Sequence, residues 1–187
     1  QVAFDEKARP TRLLRQQLFK GQVQYDPKDK QHQEAVEFAA KEIIYPLIWK
    51  TMVTRPKIGE INGLVDELDG RLVQMTRFKA TTMAMQQEFC KQAIDRVAEV
   101  IQHDRAKPIA MVNAACMLLR ISERRVPRDV PQTLKEWTDD VLPRLAEGNA
   151  EHLATTCIKL LENPKINDGT RYYLYRTLAS LVELPPQ

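Results

Sequence analysis

The sequence predicts an all-α protein, and three observations lead to that prediction. The 187 residues include only six glycines and are rich in residues that lose little side-chain freedom in a helix, such as Leu, Ala, Glu, Lys and Gln. Apolar residues recur at intervals of three and four along most of the chain, which is the period of a helix with one buried face. No stretch shows sustained two-residue alternation, so we expect no sheet.

Residues 1–30 are predicted to form an N-terminal arm with one short helix. Thr11 is the expected N-cap of that helix, and Gly21 is expected to end it. The polar sequence DPKDK at residues 26–30 separates the arm from a helical-repeat domain predicted over residues 31–187. The apolar stripe of the short helix consists of Leu13, Leu14 and Leu18.

Four helices are predicted in the first part of this domain. The first spans about 31–54, and Pro46 should kink or divide it, because proline lacks the backbone donor that a helix interior needs. The second and third span about 60–78 and 81–103. Pro108 opens the fourth, since its missing N–H costs nothing in a first turn. That helix, IAMVNAACMLLRI, is apolar nearly all round and should be buried on several sides.

Three more helices follow the proline-bracketed connection RRVPRDVP at 124–131. The fifth is predicted over about 132–147, with Gly148 at its end. The sixth is marked by the apolar residues Leu153, Ala154, Cys157, Ile158 and Leu161. The seventh is predicted to begin with Asp168 as N-cap. Its expected buried stripe consists of Leu174, Leu178, Leu181 and Val182.

The last two helices repeat the third and fourth at an offset of sixty residues. The loops between the helices have equal length, and the apolar positions of both helices align without gaps. Two helical hairpins therefore share one pattern. The aligned pairs are Leu153 with Ala93, Ala154 with Ile94, Cys157 with Val97, Leu160 with Val100, Leu161 with Ile101, Asp168 with Pro108, Leu174 with Ala114, Leu178 with Leu118, Ala179 with Leu119, and Leu181 with Ile121.

The second hairpin, LLENPKINDGTRYYLYRTLASLVE, resembles the HEAT family of helical repeats. In that family a first helix ends in an acidic or amide residue and proline, and a short turn leads to an Asp with an Arg three residues later. Asn163-Pro164, Asp168 and Arg171 stand at those places. The resemblance covers about residues 150–184. The earlier hairpin shares only the hydrophobic pattern, with Pro108 and Met111 in place of the Asp and Arg.

The resemblance implies a right-handed α–α superhelix of irregular, HEAT- or armadillo-like repeats. Asp168 and Arg171 would then form a structural ion pair. Tyr172, Tyr173 and Tyr175 are bulkier than the small residues usual in the second helix of such a repeat, which implies an atypical, terminal or ligand-facing repeat.

Stacked hairpins bury their apolar faces against one another and leave a surface for partners. We therefore expect a scaffold that binds a protein or packs against a neighbouring domain. The alternative is a nucleic-acid-binding module that uses an arginine cluster at residues 120–128 and the basic arm, although the net charge of +3 is small. The candidate partner-binding residues are Arg120, Arg124, Arg125, Arg128, Arg171, Tyr172 and Tyr175.

No enzyme activity, cofactor or metal is expected. The chain contains no H-E-x-x-H, P-loop, G-x-G-x-x-G or G-x-S-x-G motif. Three cysteines without a C-x-x-C are no disulfide framework and should act as small apolar residues. No apolar run is long enough to cross a bilayer, so no membrane association is expected. If Gln1 follows a removed signal peptide the protein would be exported, and otherwise cytoplasmic.

Overall fold

A computed structural model describes residues 9–48, 58–77, 83–122, 145 and 147–182. Within these residues the regular structure is seven α-helices and one short 3-10 segment, without a strand, so the predicted all-α class is confirmed. Nearly all of the helix predicted over 132–147 lies outside the described residues. The helices are α1 (Arg9–Phe19), α2 (Lys30–Ile44), α3 (Ile58–Arg77), α4 (Met83–Gln102), α5 (Pro108–Ser122), α6 (Glu147–Leu161) and α7 (Asp168–Val182).

The helices contact one another in two series. In one series α2 packs against α4 and α4 packs against α6, whereas in the other α3 packs against α5 and α5 packs against α7. The hairpin partners α4–α5 and α6–α7 join the two series, and α1 packs on α2. The apolar core is buried between the helices. Its largest fully buried side chains are Phe19, Phe89, Leu18, Ile43, Ile44, Leu68, Met85, Ile94, Ile101, Met117 and Leu118.

The short N-terminal helix, α1, ends as predicted but begins earlier. Its first residue is Arg9, so Thr11 lies inside the helix and is not the N-cap. Gly21 has a φ of 66°, a left-handed conformation that glycine adopts without strain. Its N–H donates to the carbonyl of Leu18, and the next N–H, of Gln22, donates to Gln17. This pair of bonds is the usual glycine termination of a helix.

Proline positions match the sequence prediction in two helices. The run that begins with α2 is divided at Pro46, which lies in the 3-10 segment Tyr45–Ile48. The Asp29 side chain caps the start of α2 by accepting the N–H of Gln31. Pro108 is the first residue of α5. As expected from its composition, α5 is buried on several sides, with nine of its fifteen residues buried.

The sixty-residue correspondence extends to the backbone hydrogen bonds of the two loops. The limits of α5 and α7 differ by sixty residues at both ends. After α4, the N–H of Ala106 donates to the carbonyl of His103; after α6, the N–H of Ile166 donates to Asn163. Side chains also match, because His103 Nδ1 and Asn163 Oδ1 each accept the N–H two residues later. The two hairpins therefore share one loop conformation.

Two predicted helix boundaries in the C-terminal part were wrong, the N-cap of α7 and the helix end at Gly148. Asn167, not Asp168, caps α7: its Oδ1 accepts the N–H of Thr170 at 3.0 Å, and Asp168 is the first helical residue. Gly148 does not end a helix but is the second residue of α6. Both misplacements lie within one residue of a helix start, where several residue types compete as caps.

Gly169 should be the least replaceable glycine of the last hairpin, because it lies where α7 approaches α5. A Cβ at this position would lie 2.9 Å from Val112 Cγ2, and a β-branched side chain has little freedom to move away. We expect Gly169→Ala to lower the free energy of unfolding by about 1–2 kcal/mol, since overpacking outweighs the better helix propensity of alanine. Urea denaturation measures this change.

Gly148→Ala is the matched control, since Gly148 is also the second residue of its helix. A Cβ added to Gly148 would meet none of the described residues within 4 Å. This variant should be stabilised by a few tenths of a kcal/mol, up to about 1 kcal/mol. Equal effects of the two substitutions would contradict a close approach at Gly169.

Candidate functional site

One side of α7 exposes large side chains that other helices would normally cover. Tyr172 is 55% exposed, Tyr175 is 59% exposed and Val182 is 83% exposed. Ala179 is also exposed, and the spacing of 3, 4 and 3 residues places all four on one helix face. We call these four residues the α7 outer face. The sequence had assigned Val182 to the buried stripe, and that assignment was wrong, whereas Leu174 is fully buried.

Three of the four equivalent positions of α5, sixty residues earlier, are buried, and the fourth, Val112, is half-buried. Ala115 is 0% exposed, Leu119 is 7% exposed and Ser122 is 6% exposed. The helix that lies over them is α7, since Val112 comes close to Gly169 and the hydroxyls of Ser122 and Ser180 are hydrogen-bonded. These contacts join the two starts and the two ends, so α5 and α7 run parallel. The α7 outer face thus corresponds to the surface on which α7 itself packs.

The first ring of the α7 outer face is held in place by its neighbours. Tyr172 and Tyr173 meet edge to face, with their ring centroids 5.3 Å apart. Arg176, one turn later, donates from Nη1 to the Tyr172 hydroxyl at 3.2 Å. Its guanidinium carbon also lies 6.0 Å from the ring centroid. A ring fixed in this way loses less conformational entropy when a partner covers it.

The helix α6 exposes an apolar residue on the same hairpin. Ile158 is 51% exposed. Its counterpart sixty residues earlier, Ala98, is half-buried and packs against the core. Both helices of the last hairpin therefore expose positions whose counterparts in the preceding hairpin are buried or half-buried.

Arg171 has a structural role, but its partners differ from the one that the resemblance implied, which was Asp168. Its Nη1 donates to the carbonyl of Leu161 at 3.2 Å and its Nη2 donates to the carbonyl of Asn163 at 3.3 Å. These are carbonyls at the C-terminus of α6, where a cation is favourable. Within the described part of the chain no ion pair joins Arg171 to Asp168. Arg171 thus fastens α7 to the end of α6.

The arginine cluster is only partly described. Arg120 is half-buried on α5, and its Nε lies 3.9 Å from Asp69 Oδ2 of α3. Arg124, Arg125 and Arg128 lie outside the described residues. The structure therefore places one of the four arginines, and that residue contacts a neighbouring helix.

Nucleic-acid binding by this cluster and the basic arm stays a prediction. Titration with duplex DNA at two salt concentrations tests it, because phosphate contacts give an affinity that falls steeply with salt. Such a fall would support the alternative, and an absence of binding at low salt would remove it.

Several titratable side chains form hydrogen bonds or ion pairs that connect one helix or segment to another. His152 Nε2 of α6 lies 2.7 Å from Asp95 Oδ1 of α4. The hydroxyl of Tyr45, in the 3-10 segment after α2, donates to Glu99 of α4 at 2.6 Å, and Arg96 of α4 contacts both residues. Burial raises the pKa of the Tyr45 hydroxyl. Among the described residues no group of three His, Cys, Asp or Glu side chains could hold a metal ion.

The cysteines are free thiols, and two are buried. Burial raises the pKa of Cys90 and of Cys157 to about 12, from an ordinary value of 9.0. The folded state therefore keeps two protons that the unfolded state loses above pH 9. We expect the free energy of unfolding to fall as pH rises from 9 to 10, by up to about 1.4 kcal/mol per pH unit for each thiol.

Urea denaturation at a series of pH values measures this slope. The double variant Cys90→Ala, Cys157→Ala is the control and should have a much smaller slope in that interval. The pKa of Tyr25 is also raised to about 12, but its ordinary value of 10.0 places its contribution at higher pH. An equal slope in the wild type and the double variant would contradict the assignment to the thiols.

Comparison with protein-family models, with curated proteins and with solved structures found no match to this chain. None of the helices in the described ranges is both long enough and apolar enough to span a membrane. The surface on α7 must therefore be interpreted from its own geometry. The sequence had identified Tyr172 and Tyr175 as candidate partner-binding residues. The sixty-residue repeat was the signal that could have added Ala179 and Val182 to these candidates.

Proposed function

We propose that this chain is a non-enzymatic helical-repeat scaffold that binds a protein partner, or a neighbouring domain, through the α7 outer face. The observation that carries the proposal is the difference in exposure between two equivalent surfaces. On α5 the surface is covered by α7, and on α7 the equivalent surface is exposed and apolar. An apolar face of a repeat needs a neighbour to cover it, because a repeat face that stays in contact with solvent is usually polar.

The chemical character of the face supports a protein partner. Tyrosine is enriched at protein interfaces because its ring gives a large contact area with few rotatable bonds. Two tyrosines one turn apart, Tyr172 and Tyr175, are followed by the small Ala179 and the apolar Val182. This sequence of ring, ring, small and aliphatic residues favours a packed contact with another helix.

The arrangement of helices supports a HEAT- or armadillo-like superhelix as the architecture of the scaffold. Equivalent helices contact each other in series, α4 with α6 and α5 with α7, which is how successive hairpins of a repeat protein stack. The shared loop conformation at an offset of sixty residues agrees with this interpretation. A right-handed superhelix of irregular repeats is the architecture we propose.

A photo-crosslinking amino acid placed at Tyr175 tests the proposed function. In cells that express the protein, illumination should give a covalent adduct with another polypeptide, which mass spectrometry identifies. Lys91, an exposed residue of α4, is the control position, and it should give no such adduct. Equal adducts at both positions, or none at Tyr175, would count against the α7 outer face as a binding surface.

A further inference from the structure

We propose that three arginines on α1 and α3, Arg12, Arg15 and Arg71, form a binding site for the phosphate group of a small soluble ligand. We call these three residues the α1 arginine site. The inference goes beyond the proposed function, because the site contains no residue of the α7 outer face. It is argued from the positions of the three guanidiniums, the carboxylates beside them and the burial of Arg15.

The fold brings cations of two helices together. Arg12 and Arg15 are three residues apart on α1, so they lie on the same side of that helix. Phe19 follows Arg15 by one turn, and the guanidinium carbon of Arg71 lies over its ring, 5.5 Å from the centroid. Because Arg71 belongs to α3, only the tertiary structure places the third guanidinium near the other two.

Two carboxylates form ion pairs with these cations in the described part of the chain. Glu42 Oε2 of α2 lies 3.1 Å from Arg15 Nη1. Glu67 Oε1 of α3 lies 3.6 Å from Arg71 Nη2. Arg12 is exposed, and no hydrogen bond or ion pair joins it to another described residue. The site therefore has one positive charge more than its carboxylates balance.

The burial of Arg15 makes this excess of positive charge unfavourable. Its side chain is 7% exposed. Burial lowers the pKa of the Arg15 guanidinium, Glu42 acts in the opposite direction, and the charges of Arg71 and Arg12 lower the pKa further. A buried cation with like charges nearby is destabilising unless enough negative charge lies beside it. A bound anion would supply that charge.

The residue type favours phosphate among small anions. A guanidinium is planar and can donate two parallel hydrogen bonds to two oxygens of one phosphate. A phosphate group also carries more than one negative charge near neutral pH, whereas a carboxylate carries one. Arg12 is exposed and Arg71 is half-buried, so solvent reaches both, while Arg15 contributes its charge from the interior. A phosphate held by Arg12 and Arg71 would fasten α1 to α3.

Thermal denaturation of the full chain in inorganic phosphate, and separately in pyrophosphate, is the experiment. Chloride at the same ionic strength is the reference. A ligand that binds the folded state alone raises the thermal midpoint by mass action. We expect a rise of about 3–6 °C at a ligand concentration ten times the dissociation constant.

Three variants separate binding from the general stabilising effect of phosphate on proteins. Arg12→Gln should lose most of the rise, and it removes no contact of the ligand-free protein, because Arg12 has no partner among the described residues. Arg12→Lys keeps the charge and should retain part of the rise. Arg105→Gln removes an exposed arginine between α4 and α5; it is the matched control and should retain the whole rise.

An equal rise in the wild type, Arg12→Gln and Arg105→Gln would overturn the α1 arginine site, because the effect would then be a general one of the salt. The absence of a rise with both phosphates would also overturn it. If duplex DNA bound and Arg12→Gln weakened that binding, without a rise in either phosphate, the small ligand would be replaced by a nucleic-acid backbone. None of these outcomes changes the result expected from the crosslinker at Tyr175, so the two proposals fail independently.

Discussion

Phe89→Ala is expected to lower the free energy of unfolding by about 3–5 kcal/mol, the loss typical of removing a fully buried aromatic ring. Phe89 of α4 is 0% exposed, and its ring meets Phe19 of α1 edge to face at a centroid distance of 5.6 Å. The substitution removes the ring from the core and leaves a cavity. Because small domains are stable by about 5–15 kcal/mol, urea denaturation should show a large shift of the midpoint.

Two further variants separate the contact from the cavity. Phe89→Leu keeps most of the volume and should lose less than half as much. Phe19→Ala, measured alone and together with Phe89→Ala, gives the coupling between the rings, which we expect to be about 1 kcal/mol. An effect of Phe89→Ala below about 1 kcal/mol would mean that α1 and α4 do not share a packed core, against the magnitude usual for such a substitution.

Glu42→Ala should have the second-largest effect, a loss of about 2–3 kcal/mol, because it leaves a buried guanidinium without its counterion. Arg15 has a side-chain exposure of 7%, and its Nη1 lies 3.1 Å from Glu42 Oε2. Burial lowers the pKa of Arg15, and the charge of Arg71 acts in the same direction, while Glu42 opposes both. Glu42 is 35% exposed, so the loss is smaller than for a fully buried pair.

Glu34→Ala is the matched control, since Glu34 is an exposed glutamate of the same helix. Its effect on the urea midpoint should lie within about 0.5 kcal/mol. Arg15→Met should cost less than Glu42→Ala, because it removes the buried charge and leaves Glu42 partly hydrated. If Arg15→Met were the more damaging of the two, the Arg15 side chain would be stabilising chiefly through its contact with the Phe38 ring, 4.9 Å away.

Local patterns in the sequence were sufficient for several parts of the fold. The three-and-four spacing predicted the helices, and the positions of Pro46, Pro108 and Gly21 predicted a division, a start and an end. Each of these depends on the backbone of a few adjacent residues. The offset of sixty residues also needed only the sequence, because it compares two segments without knowledge of how they pack.

Which side of each helix is buried was decided only by the tertiary structure. Leu174 and Val182 fit one apolar stripe equally well, yet the first is fully buried and the second is 83% exposed. The partners of Arg171, Arg15 and Gly169 are likewise residues of other elements. Helical periodicity follows from 3.6 residues per turn and is a property of one segment. A buried face needs a second segment to cover it, and the position of that segment is set by the packing of the whole chain.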